Sequence, residues 1–258
     1  MTYSPPRHIL LRRRTDAVSD EDVVYFERAL GNQLRDAAHF YGLPAPGVTY
    51  VPADTSLGSE AVAIDLVDDD GRDAAIAHHG WMPGAQFAWS LVGVRETPDW
   101  TVAASHEALE YLCNLRLDRW VKGPGGLWAY EICDPVQADS YPVAIEMMDR
   151  MRVVRLSNYV MPAFWGEPNG MGVGAGDVYD YLGRLKGPWT LAPGGYAVVQ
   201  SDGQRTELGA QAPGGSVPSP GASSSPHGAA GAGPPQTRDR RARATSRSAA
   251  LLNPREHT

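Results

Sequence analysis

Within one short stretch, Ser105-His106-Glu107-Ala108-Leu109-Glu110, an imidazole and two carboxylates recur at helical spacing. Residues four apart on a helix share a face, with Cβ atoms about 5–6 Å apart. His106 and Glu110 can therefore point at one divalent ion, the first through a ring nitrogen and the second through a carboxylate oxygen. Zinc takes both ligand types, at about 2.0–2.2 Å. Glu107 lies about 100° further round such a helix. In the related H-E-x-x-H arrangement that position carries the general base, which takes a proton from water. Here the second His is replaced by Glu, so the pattern is H-E-x-x-E. Val102, Ala103 and Ala104 precede the motif, and Ala108, Leu109 and Leu112 lie within or after it. A His and carboxylates set among apolar residues need a counter-charge, because unpaired charge is costly to bury, and a cation supplies one.

A catalytic zinc takes three protein ligands and keeps one position open. The next dense polar cluster is Trp128-Ala129-Tyr130-Glu131-Ile132-Cys133-Asp134-Pro135. Glu131, 21 residues beyond Glu110, suits a ligand returning from a second segment. Asp134 is the alternative third ligand, or orients His106 through its free N–H. Cys133 is a softer alternative, since a thiolate also binds zinc. Of His78 and His79, adjacent on a strand and so facing opposite sides, only one could reach such a site. The expected centre is thus a zinc ion held by His106, Glu110 and Glu131, with Glu107 as the catalytic base. Tyr141 or Tyr130 is the expected oxyanion donor, from nearness to Glu131 in sequence.

The elements that must carry these residues follow from local pattern. A strand is expected over 9–12, and Ser19-Asp20-Glu21-Asp22 reads as a capped helix start with acids in its first turn. Val23, Phe26, Leu30, Leu34, Ala38 and Tyr41 continue at helical spacing until Gly42, Pro44 and Pro46 stop it. Strands are expected over 47–51, 61–67, 74–78 and 87–94, with Asp68-Asp69-Asp70-Gly71 as a turn. Residues 100–117 read as the helix holding the motif. Beyond Arg119 few segments are periodic, apart from a last strand at 196–200. The expected fold class is α+β and zincin-like: a mixed sheet packed on an N-terminal helix and on the H-E-x-x-E helix, with a loop-rich C-terminal half. The zincin comparison rests on element order, a fold-level analogy.

Composition divides the chain. Every Phe, Trp and Tyr lies before position 201, and the remainder holds 8 Gly, 7 Pro and many Ser and Ala. Such a segment buries too little apolar surface to offset the entropy of ordering it. The expectation is a metal-binding domain over 1–200 and a disordered Gly/Pro/Ser/Arg-rich tail over 201–258. The tail's 7 Arg and 4 acids give +3; the whole chain is −7, so the body is −10. An acidic body argues against nucleic acid as the main partner, and leaves only the run Arg238-Asp239-Arg240-Arg241-Ala242-Arg243 for phosphate. The first 14 residues read as neither a signal peptide nor a membrane span. With two cysteines, Cys113 and Cys133, a disulfide framework is not expected, and a cytoplasmic setting is. The seven tryptophans read as core and rim packing.

Taken together, these segments resemble a family of uncharacterised bacterial and phage-encoded proteins with a metallopeptidase motif. That family shows S-H-E-x-L-E, then E-x-C-D-P-V-E-x-D-S-Y, S-N-F-V-L-P, L-G-R-L and a Gly-Gly-Tyr end. The matching positions begin with Ser105 to Glu110 and Glu131-Ile132-Cys133-Asp134-Pro135-Val136 through Asp139-Ser140-Tyr141. Ser157-Asn158-Tyr159-Val160-Met161-Pro162, Leu182-Gly183-Arg184-Leu185 and Gly194-Gly195-Tyr196 complete them. The resemblance covers roughly residues 5 to 200. Two positions depart from it: Asn114-Leu115 stand where the family has Asp-Pro, and Gln137 where it has Glu. Both put a neutral amide in place of a carboxylate, which predicts weaker cation binding. The resemblance implies a zinc-dependent hydrolase, a metallopeptidase acting on a peptide or protein through a metal-activated water. The alternative is a non-catalytic, phage-related protein whose metal site is structural or degenerate.

Overall fold

The computed structural model describes residues 3–56, 61–69, 77–82, 87–95, 99–167 and 178–209, without the side chains of 78–79, 81–82 and 87. All of these lie in one compact unit, Met1–Gly228. Strand β1 (His8–Arg13) leads into helix α1 (Asp20–Tyr41), which opens on a capping box. The Ser19 hydroxyl accepts from the Asp22 N–H at 3.1 Å, and the Asp22 carboxylate accepts from the Ser19 N–H at 3.3 Å. Asp20, Glu21 and Asp22 also complement the positive end of the helix dipole. Gly42 ends the helix in the left-handed conformation, φ 62°. The buried stripe runs through Val23, Phe26, Ala29, Leu30, Leu34 and Ala38.

Strands β2 (Gly47–Val51), β3 (Ala61–Val67), β4 (Ala77–Met82) and β5 (Phe87–Gly93) join β1 in one sheet of order β2-β1-β3-β5-β4. All neighbours pair in parallel except β4, an edge strand antiparallel to β5. Helix α2 (Trp100–Asn114) packs on β3, β4 and β5 and touches α1. The central strand β3 is buried along Val62 to Leu66, and its one carboxylate, Asp65, is paired with Arg12 and Arg14. Charge-assisted pairs of this kind are what make a buried carboxylate tolerable.

The C-terminal half holds more regular structure than expected. It contains β6 (Trp120–Gly123), β7 (Gly126–Ala129), β8 (Ser140–Met147), β9 (Arg150–Ser157), β10 (Tyr196–Ser201) and β11 (Gln204–Gly209). Strands β11-β10-β7-β6 form an antiparallel sheet, and β8-β9 a hairpin lying along both helices. Strand β11 falls inside the segment whose composition reads as disordered. All six of its residues are exposed, so it is held by backbone pairing to β10 and needs no aromatic or aliphatic side chain. The β10–β11 turn is Asp202-Gly203, both at positive φ, a hairpin signal that composition masks. Residues 210–258 lie outside the description, as does the turn expected at Asp70-Gly71. Helix α2 stops at Asn114, three residues short of expectation, and Leu117 has φ 57° just beyond it. Among the described residues, two α-helices with one mixed and two antiparallel sheets make a mixed α/β architecture, compatible with α+β. No helix among the described residues is long and apolar enough to cross a membrane.

Candidate metal centre

Helix α2 is fixed at both ends. Near its start the Ser105 hydroxyl donates to the Val102 carbonyl at 2.9 Å and accepts from the Ser157 N–H at 2.8 Å, tying the motif to β9. At its end the Tyr3 hydroxyl donates to the Tyr111 carbonyl at 2.8 Å and accepts from the Leu115 N–H at 3.1 Å. The Arg119 guanidinium donates to the Cys113 carbonyl and lies over the rings of Tyr3 and Tyr130, 4.5 and 4.2 Å from their centroids. The C-terminal carbonyls of α2 thus meet donors and a cation, as the negative end of a helix dipole favours.

On the helix itself, His106 Nε2 lies 2.9 Å from Glu110 Oε1. The same nitrogen lies 3.3 Å from Asp134 Oδ1, at the start of a 3-10 turn, Asp134–Val136. The ligating atoms of His106, Glu110 and Asp134 all fall within 4.8 Å of one another. Tetrahedral zinc with ligands near 2.0–2.1 Å has ligand atoms about 3.3 Å apart, so these two separations suit one ion. An imidazole nitrogen with two carboxylate oxygens is also a donor set that zinc accepts. Glu110 and Asp134 are 1% and 2% exposed and His106 is 16% exposed, so the cluster opens outward on its His side.

Glu131 sits elsewhere. It is buried, and its Oε1 accepts from Asn114 Nδ2 at 2.8 Å, while Asn114 Oδ1 accepts from the Arg119 N–H at 2.9 Å. The reason is directional. The segment after β7 runs back alongside α2, with Tyr130 bonded to Arg119 and the Cys133 thiol donating to the His106 carbonyl at 3.7 Å. Glu131 therefore meets the last turn of the helix, and Asp134, three residues on, meets the turn carrying His106 and Glu110. Burial pushes the Cys133 thiol well above its usual pKa, which keeps the proton on sulfur.

Glu107 is buried too, and its charge reaches Glu110 and Tyr111. Burial pushes the Glu110 carboxyl up to about 8, against the opposing pull of His106 and with help from the charge of Asp134. Burial alone would lower the pKa of His106, but Glu110 and Asp134 carry it well above its usual value. Without metal, both His106 and Glu110 hold their protons more tightly than they would in water, so the cluster favours a protonated state.

The tyrosines expected at the site are engaged in other contacts. Tyr130 donates to Glu167 at 3.3 Å and stacks on Trp165, and Tyr141 accepts from Gln33 at 3.1 Å and packs on Tyr181. The tyrosine beside the cluster is Tyr196, whose hydroxyl is pushed well above its usual pKa by burial and then by the charges of Asp134 and Glu110. Its only sequence signal is the Gly-Gly-Tyr end, which carries no spacing relation to the helix. His78 and His79 lie on β4, with side chains outside the description. Comparison with family models, with curated proteins and with solved structures found no match for this chain.

Proposed function

We propose that the chain is a zinc-dependent hydrolase, most simply a metallopeptidase of zincin-like build. The observation that carries this reading is the convergence of His106, Glu110 and Asp134 within 4.8 Å, on a helix that also presents Glu107. The antiparallel edge strand β4 against which α2 packs supports the zincin-like comparison. In this reading His106, Glu110 and Asp134 hold the ion, and Glu131 locks the end of α2 through Asn114. When bound, zinc polarises a carbonyl and lowers the pKa of a water. With the ion in place, Glu107 would serve as the base toward its water and as the acid toward the leaving amine. Two carboxylates with one His nearly neutralise the ion, which favours slow turnover.

Incubation with a denatured protein or a peptide library, read by mass spectrometry, tests this reading. Cleavage should be abolished by a chelator and restored by zinc. Glu107→Gln should lower turnover by about 10²–10⁴-fold with metal content unchanged. Turnover untouched in Glu107→Gln would remove it as the base. The burial of Glu110 and Asp134 favours a second reading, a structural metal in a non-catalytic protein. That reading predicts a chelator-sensitive melting temperature and no cleavage of any substrate.

A further inference from the structure

Residues Ser157-Asn158-Tyr159-Val160, at and just beyond the end of β9, touch both turns that carry the metal donors. Toward α2, the Ser157 N–H donates to the Ser105 hydroxyl at 2.8 Å, one residue before His106. Toward the Asp134 turn, the Asn158 N–H donates to the Asp139 carbonyl at 2.9 Å and the Val160 N–H to the Ile132 carbonyl at 2.7 Å. Those two carbonyls lie on either side of Asp134–Val136. Helix α1 holds the same four residues. Gln33 Nε2 donates to the Ser157 carbonyl at 2.8 Å, and the Tyr41 hydroxyl to the Val160 carbonyl at 2.6 Å. Ser105 and all of residues 157–160 are buried. The direct link between the two turns, from the Cys133 thiol to the His106 carbonyl at 3.7 Å, uses a weak sulfur donor. The separation of the turns therefore rests mainly on residues 157–160.

We infer that residues 157–160 set the separation of the His106 and Asp134 turns, and that Ser105 is a positioning residue for the centre, acting through them. This rests on the metal reading above. A serine hydroxyl has one proton to donate and two lone pairs to accept with. Ser105 donates its proton to the Val102 carbonyl at 2.9 Å, which fixes the hydroxyl and leaves a lone pair for the Ser157 N–H. Alanine offers no acceptor there, and a buried N–H left without a partner drives helix and strand to shift. The bond also gives a role to the serines that open the Ser105 to Glu110 and Ser157 to Pro162 segments, which the ligand set leaves unexplained. Groups that orient metal ligands are worth about 10–100-fold in affinity. Ser105 acts on the backbone beside a ligand, so the lower end of that range applies.

The test is zinc affinity of the full chain, measured by competition with a chromophoric chelator, together with the visible spectrum of the cobalt(II) form. Ser105→Ala should weaken zinc binding about 10-fold and alter the cobalt spectrum. Gln33→Met keeps the Ser105 hydroxyl and removes the donor to the Ser157 carbonyl. It should weaken binding in the same direction by a smaller factor, and it carries the test alone if Ser105→Ala does not fold. Tyr25→Phe loosens the far end of the same hairpin, where that hydroxyl meets the Met147 and Arg150 carbonyls at 3.2 and 3.3 Å. It should leave affinity and spectrum alone. Wild-type affinity and spectrum in folded Ser105→Ala, or failing that in Gln33→Met, would overturn the inference, as would an equal loss in Tyr25→Phe. A wild-type chain that binds neither zinc nor cobalt would instead overturn the metal reading, and this inference with it.

Discussion

At the residue scale the centre turns on which cation sits between Glu110 and Asp134. In the metal-free protein the candidate is the His106 proton. Its folded pKa is raised above the usual value, so the stability it contributes is present below about 6.5 and is lost as pH rises through the folded value. Glu110, raised from 4.5 to about 8, acts in the same direction, because the folded state holds its proton more tightly than the unfolded state does. The chelated protein should therefore lose melting temperature steadily from about pH 5 to beyond pH 8, while the zinc-loaded protein should not, since metal displaces the proton and binds better as pH rises. Parallel melting curves with and without zinc across that range would contradict it. The approach of His106 to Glu110 was legible because residues four apart share a helix face. Asp134 was legible only as an alternative to Glu131, because choosing between them needs the direction in which the returning segment passes the helix. Tyr196 carried no role in the sequence, since it lies 62 residues beyond Asp134 and comes near the cluster only because Gly194 and Gly195 fit against the turn at Pro135.

At the element scale, α2 works as a rigid carrier. Asn114 joins its last turn to Glu131 and to the Arg119 backbone, using its amide as donor and acceptor at once. Asn114→Asp would set a second carboxylate against a buried one. It should cost about 1–3 kcal/mol at neutral pH, with the loss relieved as pH falls and one of the two acids takes a proton. Thermal melts at acid and neutral pH check this; equal destabilisation at both would mean the charge is not the cause. The amides of Asn114 and Gln137 thus act as hydrogen-bonding groups in the frame around the cluster. Helix α1 and strands β2 and β3 were legible to the residue, because a capping box, a C-terminal glycine and alternation are local signals. Strands β6 to β9 were not, because they are four to eight residues long with tight turns, and Met148-Asp149 takes left-handed φ without a glycine to announce it.

At the scale of the whole molecule, the mixed sheet holds α2 from one side and the β8-β9 hairpin pins its start, so the H-E-x-x-E face is bounded by elements from both halves of the chain. This division of labour makes metal content the most direct measure of the central claim. Purified wild type, His106→Ala, Asp134→Ala and Glu131→Ala, together with a chain ending at residue 209, should be compared by mass spectrometry after zinc incubation and desalting. About one zinc per chain is expected in wild type, in the shortened chain and in Glu131→Ala, and none in His106→Ala or Asp134→Ala. A wild type without zinc, or zinc retained in His106→Ala and Asp134→Ala, would contradict it.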